Sequence, residues 1–182
     1  SIKFSLYPAD AQLVRGSVIC DGEVEGIGNV GHFFAKDASG ASLADLRLPD
    51  ATNHATGLET ILKWFEKQYA DRKLVAAGHR VVHGGDTYTS PVRIDAAVTN
   101  GLRKLIPLAP LHQPHNLAAI EALSKLYPQL VQIACFDTAF HSTMPAIATE
   151  FALPRSLTGE GVRRYGFHGL SYEYVADQLR RL

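Results

Sequence analysis

Three stretches of this 182-residue chain carry polar groups suited to chemistry where apolar runs give out. Residues 130–136, LVQIACF, stop at Asp137. Residues 74–83, LVAAGHRVVH, hold Arg80 among apolar neighbours and end at Gly84-Gly85. The stretch GFHG presents His168 between glycines. A carboxylate after a strand is either a turn or cap group or one aimed at a metal ion or a reacting group, and position alone leaves both readings open for Asp137. An arginine among apolar residues needs a partner or an anion, because an unpaired buried charge is costly. Asp137 is the candidate partner within the chain. The functional alternative for Arg80 is a clamp whose guanidinium grips a carboxylate or phosphate bidentately.

Six of the eight histidines lie between residues 79 and 168, which raises a zinc reading. His79 and His83 in HRVVH, and His112 and His115 in HQPH, have spacings that share one face of a helix and one metal. RVVH reads as strand, however, where four residues span roughly 13 Å. Pro114 argues against a helix from His112 to His115. A zinc hydrolase therefore ranks last. His32, His54 and His141 are read as structural residues. Lys3 is a solvated residue of the first strand or, alternatively, a phosphate contact.

The elements that must hold these groups follow from periodicity. Ser1 to Tyr7 alternates as a half-buried strand. Residues 12–20 read as a second strand, and the glycine-rich residues 22–34 as a loop and a further strand. ADLRLP, residues 44–49, is a short strand. A helix capped by Thr52 or Asn53 carries Leu58, Ile61, Leu62 and Phe65 on one face. Residues 74–85 form a buried strand and a Gly-Gly turn. A helix over 95–106 is broken by Pro107 and Pro110, and a helix over 115–127 leads into the strand at 130–136. A last helix starts near Ser171. Strands come first and helix then alternates with strand, which predicts an α/β fold with a mixed sheet flanked by helices. No repeat or linker is visible, so one domain is expected. In such sheets ligands bind beyond the carboxyl ends of the strands, where Arg80 and Asp137 stand.

Lys+Arg and Asp+Glu are 18 each, so the formal net charge is zero. No general field draws the chain to nucleic acid or to an anionic membrane. With two cysteines there is no disulfide framework, and no apolar run approaches the length of a membrane span. A cytoplasmic location is expected. SIKFSLYP enters a strand at once and DQLRRL leaves in helical pattern without a cap, so the chain is expected to be a fragment of a longer protein.

GHRVVHGG, LAPLHQPHN, FDTAFHSTMP and RRYGFHGLS occur in this order, and together they resemble the acetokinase (acetate kinase) family over essentially the whole chain. The resemblance implies a ribonuclease H-like (sugar kinase/actin-like) fold and identifies residues 1–182 as similar to the N-terminal acetokinase domain. Of the family's opening motif, N-x-G-S-S-S-x-K, only Ser1 to Lys3 is present, and the resemblance implies that the family's C-terminal nucleotide-binding domain is expected to be missing from this piece. The implied activity is Mg²⁺-dependent, direct in-line phosphoryl transfer between ATP and acetate, giving acetyl phosphate and ADP. Small molecules are the implied partners, and the full-length protein is expected to be a homodimer. Carried over by motif, Arg80 holds the acetate carboxylate or the phosphoryl group. Asp137 is the catalytic carboxylate and meets the metal indirectly or through water. His168 donates to the phosphoryl oxygens, and His112 supports the site. Val82, Leu111 and Phe167 line a pocket for the methyl group, and Ser1 and Lys3 lie near the nucleotide phosphates. The alternatives are a propionate or butyrate kinase of the same family, or a non-catalytic binding or assembly domain for this piece.

Overall fold

The computed structural model describes residues 1–10, 15–50 and 52–182. The chain separates into two compact units, residues 1–75 with 121–128, and residues 76–120 with 129–182.

In the first unit, strands β1 (Ile2–Leu6), β2 (Cys20–Glu25), β3 (Val30–Asp37) and β4 (Ser42–Asp50) form an antiparallel meander in sequence order. β1 follows the predicted alternation, with Ile2, Phe4 and Leu6 turned in and Lys3 and Ser5 out. Residues 12–14 of the expected second strand lie outside the described residues. Residues 15–17 form a 3₁₀ turn and the strand begins only at Cys20. The glycine-rich stretch contains no long loop. Gly26 and Gly28 adopt positive φ and close a tight turn between β2 and β3, which glycine does without steric cost. The short strand expected at residues 44–49 extends over Ser42–Asp50, and its Pro49 is tolerated because β4 is an edge strand. Helix α1 (His54–Gln68) starts from a capping box in which Asn53 accepts from the Thr56 N–H and Thr56 from the Asn53 N–H. It buries Ile61 with Val24, Phe33, Ala35 and Leu48 of the sheet.

In the second unit, β5 (Ala76–Val81) and β7 (Val131–Phe136) run parallel, and the short β6 (Val92–Arg93) pairs antiparallel with β7, giving a mixed sheet of order β5-β7-β6. Helix α2 (Ala96–Lys104) is capped by Asp95, which accepts from the Val98 N–H. Residues 106–108 turn as a 3₁₀ segment around Pro107, so the predicted helix ends earlier than residue 106. Helix α3 (Gln113–Leu126) begins two residues before its predicted start. Pro114 sits in its first turn, where no intrahelical N–H bond is lost, so the proline marks the start of a helix and does not prevent one. Residues of α3 from Glu121 onward group with the first unit. Val81, Val98, Leu102, Leu117, Ile120, Ala134 and Phe136 form the core that covers one face of β7. The short helices α4 (Ala146–Thr149) and α5 (Arg155–Gly159) precede α6 (Gly169–Arg180), which packs on β7 and the 3₁₀ turn Ala139–His141.

β5 departs from its prediction as a buried strand. Ala76, Gly78 and Arg80 are exposed on one face of this edge strand while Val81 is buried. The run looked like core because alanine and glycine are apolar, but they bring little surface to bury. Arg80 therefore stands on an open face and not in the interior.

Candidate active site

The parallel register of β5 and β7 sets Arg80 opposite Cys135 and Val81 opposite Phe136, so both strands end at one edge. The Asp137 N–H donates to the Val81 carbonyl at 3.0 Å and carries the pairing one residue past β7. The Asp137 side chain is 2% exposed. Its carboxylate accepts a fork from Arg80: Nε donates to Oδ1 and Oδ2 at 3.0 and 3.2 Å, and Nη2 to Oδ2 at 2.8 Å. The hydrogen bond to Asp137 is the largest cause pushing the Arg80 pKa further up, against the opposing effect of burial, so the guanidinium stays charged.

Arg80 Nη2 also donates to His168 Nδ1 at 3.1 Å. A guanidinium has no acceptor, so Nδ1 presents its lone pair and the ring proton resides on Nε2. Nδ1 is 4.0 Å from Asp137 Oδ2. That is too far for a hydrogen bond, and a nitrogen already accepting has no proton to give, so the pair is not an ion pair in this arrangement. His168 is 72% and Arg80 58% exposed: a buried carboxylate anchors an open, cationic edge.

Local backbone geometry aims the histidine. His168 is left-handed, φ 56° and ψ 25°, at the N-cap of α6, a conformation that costs an L-residue roughly 1–2 kcal/mol. The next N–H, of Gly169, donates to the Asp137 carbonyl at 2.8 Å. A Cβ on Gly169 would lie 2.3 Å from that oxygen, so only glycine lets α6 start directly against the end of β7. The loop after β5 is pinned from α3 and from the turn that follows β7: Val82 N–H donates to Asn116 Oδ1 at 3.0 Å, Gly84 N–H to Thr138 Oγ1 at 3.0 Å, and Gln113 Nε2 to the His83 carbonyl at 3.1 Å. His83 is buried, and its Nδ1 accepts from the Gly85 N–H at 2.9 Å. Burial pushes its pKa down, with nearby Asp86 opposing, and the neutral ring packs edge-on against Tyr165 and Phe167.

The structure thus brings Arg80, Asp137 and His168 together. Val82 is half-buried next to them in sequence, Phe167 is partly exposed against His83, Leu111 is 77% exposed, and His112 is exposed in the turn before α3. Ser1 and Lys3 belong to the first unit, where Lys3 pairs with Glu23 at 3.5 Å. Asn116, Gln113 and Thr138 escaped the reading of the sequence, although each is a polar residue inside one of the four motifs. The Asp86–Arg163 ion pair at 2.7 Å joins residues too distant in sequence to leave a signal. Among the described residues no group of three or more His, Cys, Asp or Glu stands close enough to hold a metal.

A family model described as "Acetokinase family" matches residues 1–182. The chain is 50% identical over 179 residues to an acetate kinase of Rhodopseudomonas palustris (strain TIE-1), covering 98% of this chain and 45% of that protein. It is 44% identical over 190 residues to an acetate kinase of Methylocella silvestris, covering all of this chain and 47% of the relative. Among solved structures, a propionate kinase from Francisella tularensis subsp. tularensis SCHU S4 superimposes with TM-score 0.85 at 33% identity, over 97% of this chain and 44% of that one. Porphyromonas gingivalis acetate kinase gives 0.80 at 36%, over 92% and 43%. The chain spans a little under half the length of the curated relatives it matches. Its fold is the ribonuclease H-like (sugar kinase/actin-like) α/β fold of these kinases.

Proposed function

The chain belongs to the acetokinase family, and from that premise we propose that residues 1–182 are the N-terminal domain of an acetate kinase. The whole protein transfers a phosphoryl group in line between ATP and acetate, giving acetyl phosphate and ADP. One observation carries the assignment of the site. Nε–H and both Nη2 hydrogens of Arg80 are taken by Asp137 and His168. No described residue takes the two Nη1 hydrogens, and His168 keeps its Nε2–H. These donors are what a transferring phosphoryl group or a substrate carboxylate requires, because this chemistry rests on positioning and on positive charge around the equatorial oxygens.

Acetate is already a carboxylate at neutral pH and needs no strong base. Asp137, with both oxygens on Arg80, therefore orients the guanidinium and does not abstract a proton. Mg²⁺ usually takes one or two carboxylates, waters and substrate phosphates. Asp137 is the carboxylate proposed for this role and, being covered by Arg80, would meet the ion through water. When bound with nucleotide, the ion supplies charge neutralisation on the phosphates. His112 is proposed to support the phosphoryl site. Ser1 and Lys3 are assigned to the nucleotide phosphates on the family resemblance alone. The full-length protein is proposed to be a homodimer in the cytoplasm, with small molecules as substrates. Among the described residues no helix is long and apolar enough to cross a membrane.

Replacing Arg80 or Asp137 with Ala in the whole protein lowers kcat by roughly 10² to 10⁵, the span typical of phosphoryl-transfer electrostatics. Near-normal turnover in both variants overturns the site. A propionate kinase is the second reading, supported by the likeness to the Francisella propionate kinase. Val82, Leu111 and Phe167 are proposed to line the methyl pocket, and one methylene is worth only about 1–3 kcal/mol there. The ratio of kcat/KM for acetate and propionate decides between the two.

A further inference from the structure

We infer that His141 is a positioning residue for His168: it holds the Phe167 carbonyl and thereby fixes the peptide plane from which the His168 ring reaches Arg80. The inference rests on the proposed role of His168 in phosphoryl transfer. His141 Nε2 is 3.0 Å from the Phe167 carbonyl oxygen. A carbonyl only accepts, so Nε2 carries the proton and donates. The peptide unit is planar, so anchoring that oxygen fixes the orientation of the His168 N–H and the axis about which φ 56° is set. The ring is itself wedged. It lies edge-on to Phe140 and Tyr172, with centroids at 5.3 and 5.5 Å, and against Gly166, where a Cβ would stand 2.2 Å from His141 Cγ.

On the other side of His168 the constraint is independent. Gly169 N–H bonds the Asp137 carbonyl, while the Ser171 and Tyr172 N–H groups bond the His168 carbonyl. The left-handed residue is thus clamped on its N-terminal side by His141 and on its C-terminal side by the end of β7 and the first turn of α6. Strained conformations persist where the surroundings over-determine them. Releasing one clamp lets His168 relax toward ordinary φ and draws Nδ1 off Arg80. His141 touches neither Arg80 nor Asp137 in any hydrogen bond among the described residues, so it acts through His168.

The test is a double-mutant cycle in the whole protein, with kcat, KM and melting midpoint read for each variant. A glutamine side chain extends far enough from the backbone to place an amide donor near the position of the His141 Nε2, whereas asparagine is too short. His141→Asn is expected to lower kcat by roughly 10- to 100-fold, as small misplacements at reacting centres do, while His141→Gln restores most of it. In the His168→Ala background, His141→Asn should change kcat by less than about twofold, because residues acting as a unit are not additive. Gly166→Ala, which pushes the His141 ring out of place, should show the same dependence on His168. Equal losses from His141→Asn with and without His168, or Gln no better than Asn, overturn the inference. If His168→Ala alone leaves turnover intact, the role proposed for His168 fails, and this inference falls with it by a visibly different outcome. Should His141→Asn fail to fold, His141→Gln and Gly166→Ala still decide.

Discussion

At the scale of single residues, the site couples a buried anion to an exposed cation. Asp137 is 2% exposed, and it is tolerable there because Arg80 satisfies both oxygens and a desolvated charge needs such a partner. His168 shows the opposite relation. Its left-handed backbone is a strain that folding alone has no use for. Glycine relieves the strain and alanine does not. The variant His168→Gly is therefore expected to be more stable than His168→Ala by roughly 1 kcal/mol, read as a higher melting midpoint, with both equally impaired in turnover. Equal stability of the two would show that position 168 bears no strain. His168 was legible in the sequence because glycines flank it, and Asp137 because an apolar run stops at it. The left-handed conformation and the clamp by His141 were not legible, since both depend on residues that the fold brings back from elsewhere.

Elements were legible where one period dominated. α1 showed its apolar stripe and its cap, and β7 its apolar run. β5 misleads because alanine and glycine are apolar without filling a core, and α3 because a proline, ordinarily a breaker, stands where it starts a helix. The meander of the first unit has a feature that periodicity does not reveal. His32 on β3 reaches Asp45 on β4 at 2.7 Å and Glu25 on β2 at 3.3 Å, tying three strands through one ring. Hydrogen bonding to Asp45 first, and to Glu25 second, pushes the His32 pKa above its ordinary value of 6.5. A base whose folded pKa is raised contributes its stabilisation in full below the unfolded value, and that contribution is lost as pH rises through the folded value. The melting difference between wild type and His32→Gln should therefore be largest below about pH 6 and shrink as the pH climbs past about 6.5. It should also shrink with added salt, because the groups are exposed. A difference independent of pH would mean that the ring is not held as an imidazolium.

At the scale of the molecule, openness is the informative property. The chain spans 45% of its Rhodopseudomonas relative, and the groups assigned to chemistry lie on a surface: Arg80 is 58%, His168 72% and Leu111 77% exposed. Electrostatic stabilisation of a transferring phosphoryl group is strong where water is excluded and weak where it is not. A site this exposed therefore has the donors for an anion without the dry surroundings that make them effective. From this we expect residues 1–182 in isolation to form no acetyl phosphate above background, whereas the function proposed above requires the whole protein to do so with ATP, acetate and Mg²⁺. The two are compared by trapping acetyl phosphate with hydroxylamine at equal molar concentration. Substantial turnover by residues 1–182 alone would show that the donors on Arg80 and His168 suffice as they stand, and that excluding water contributes little to this reaction.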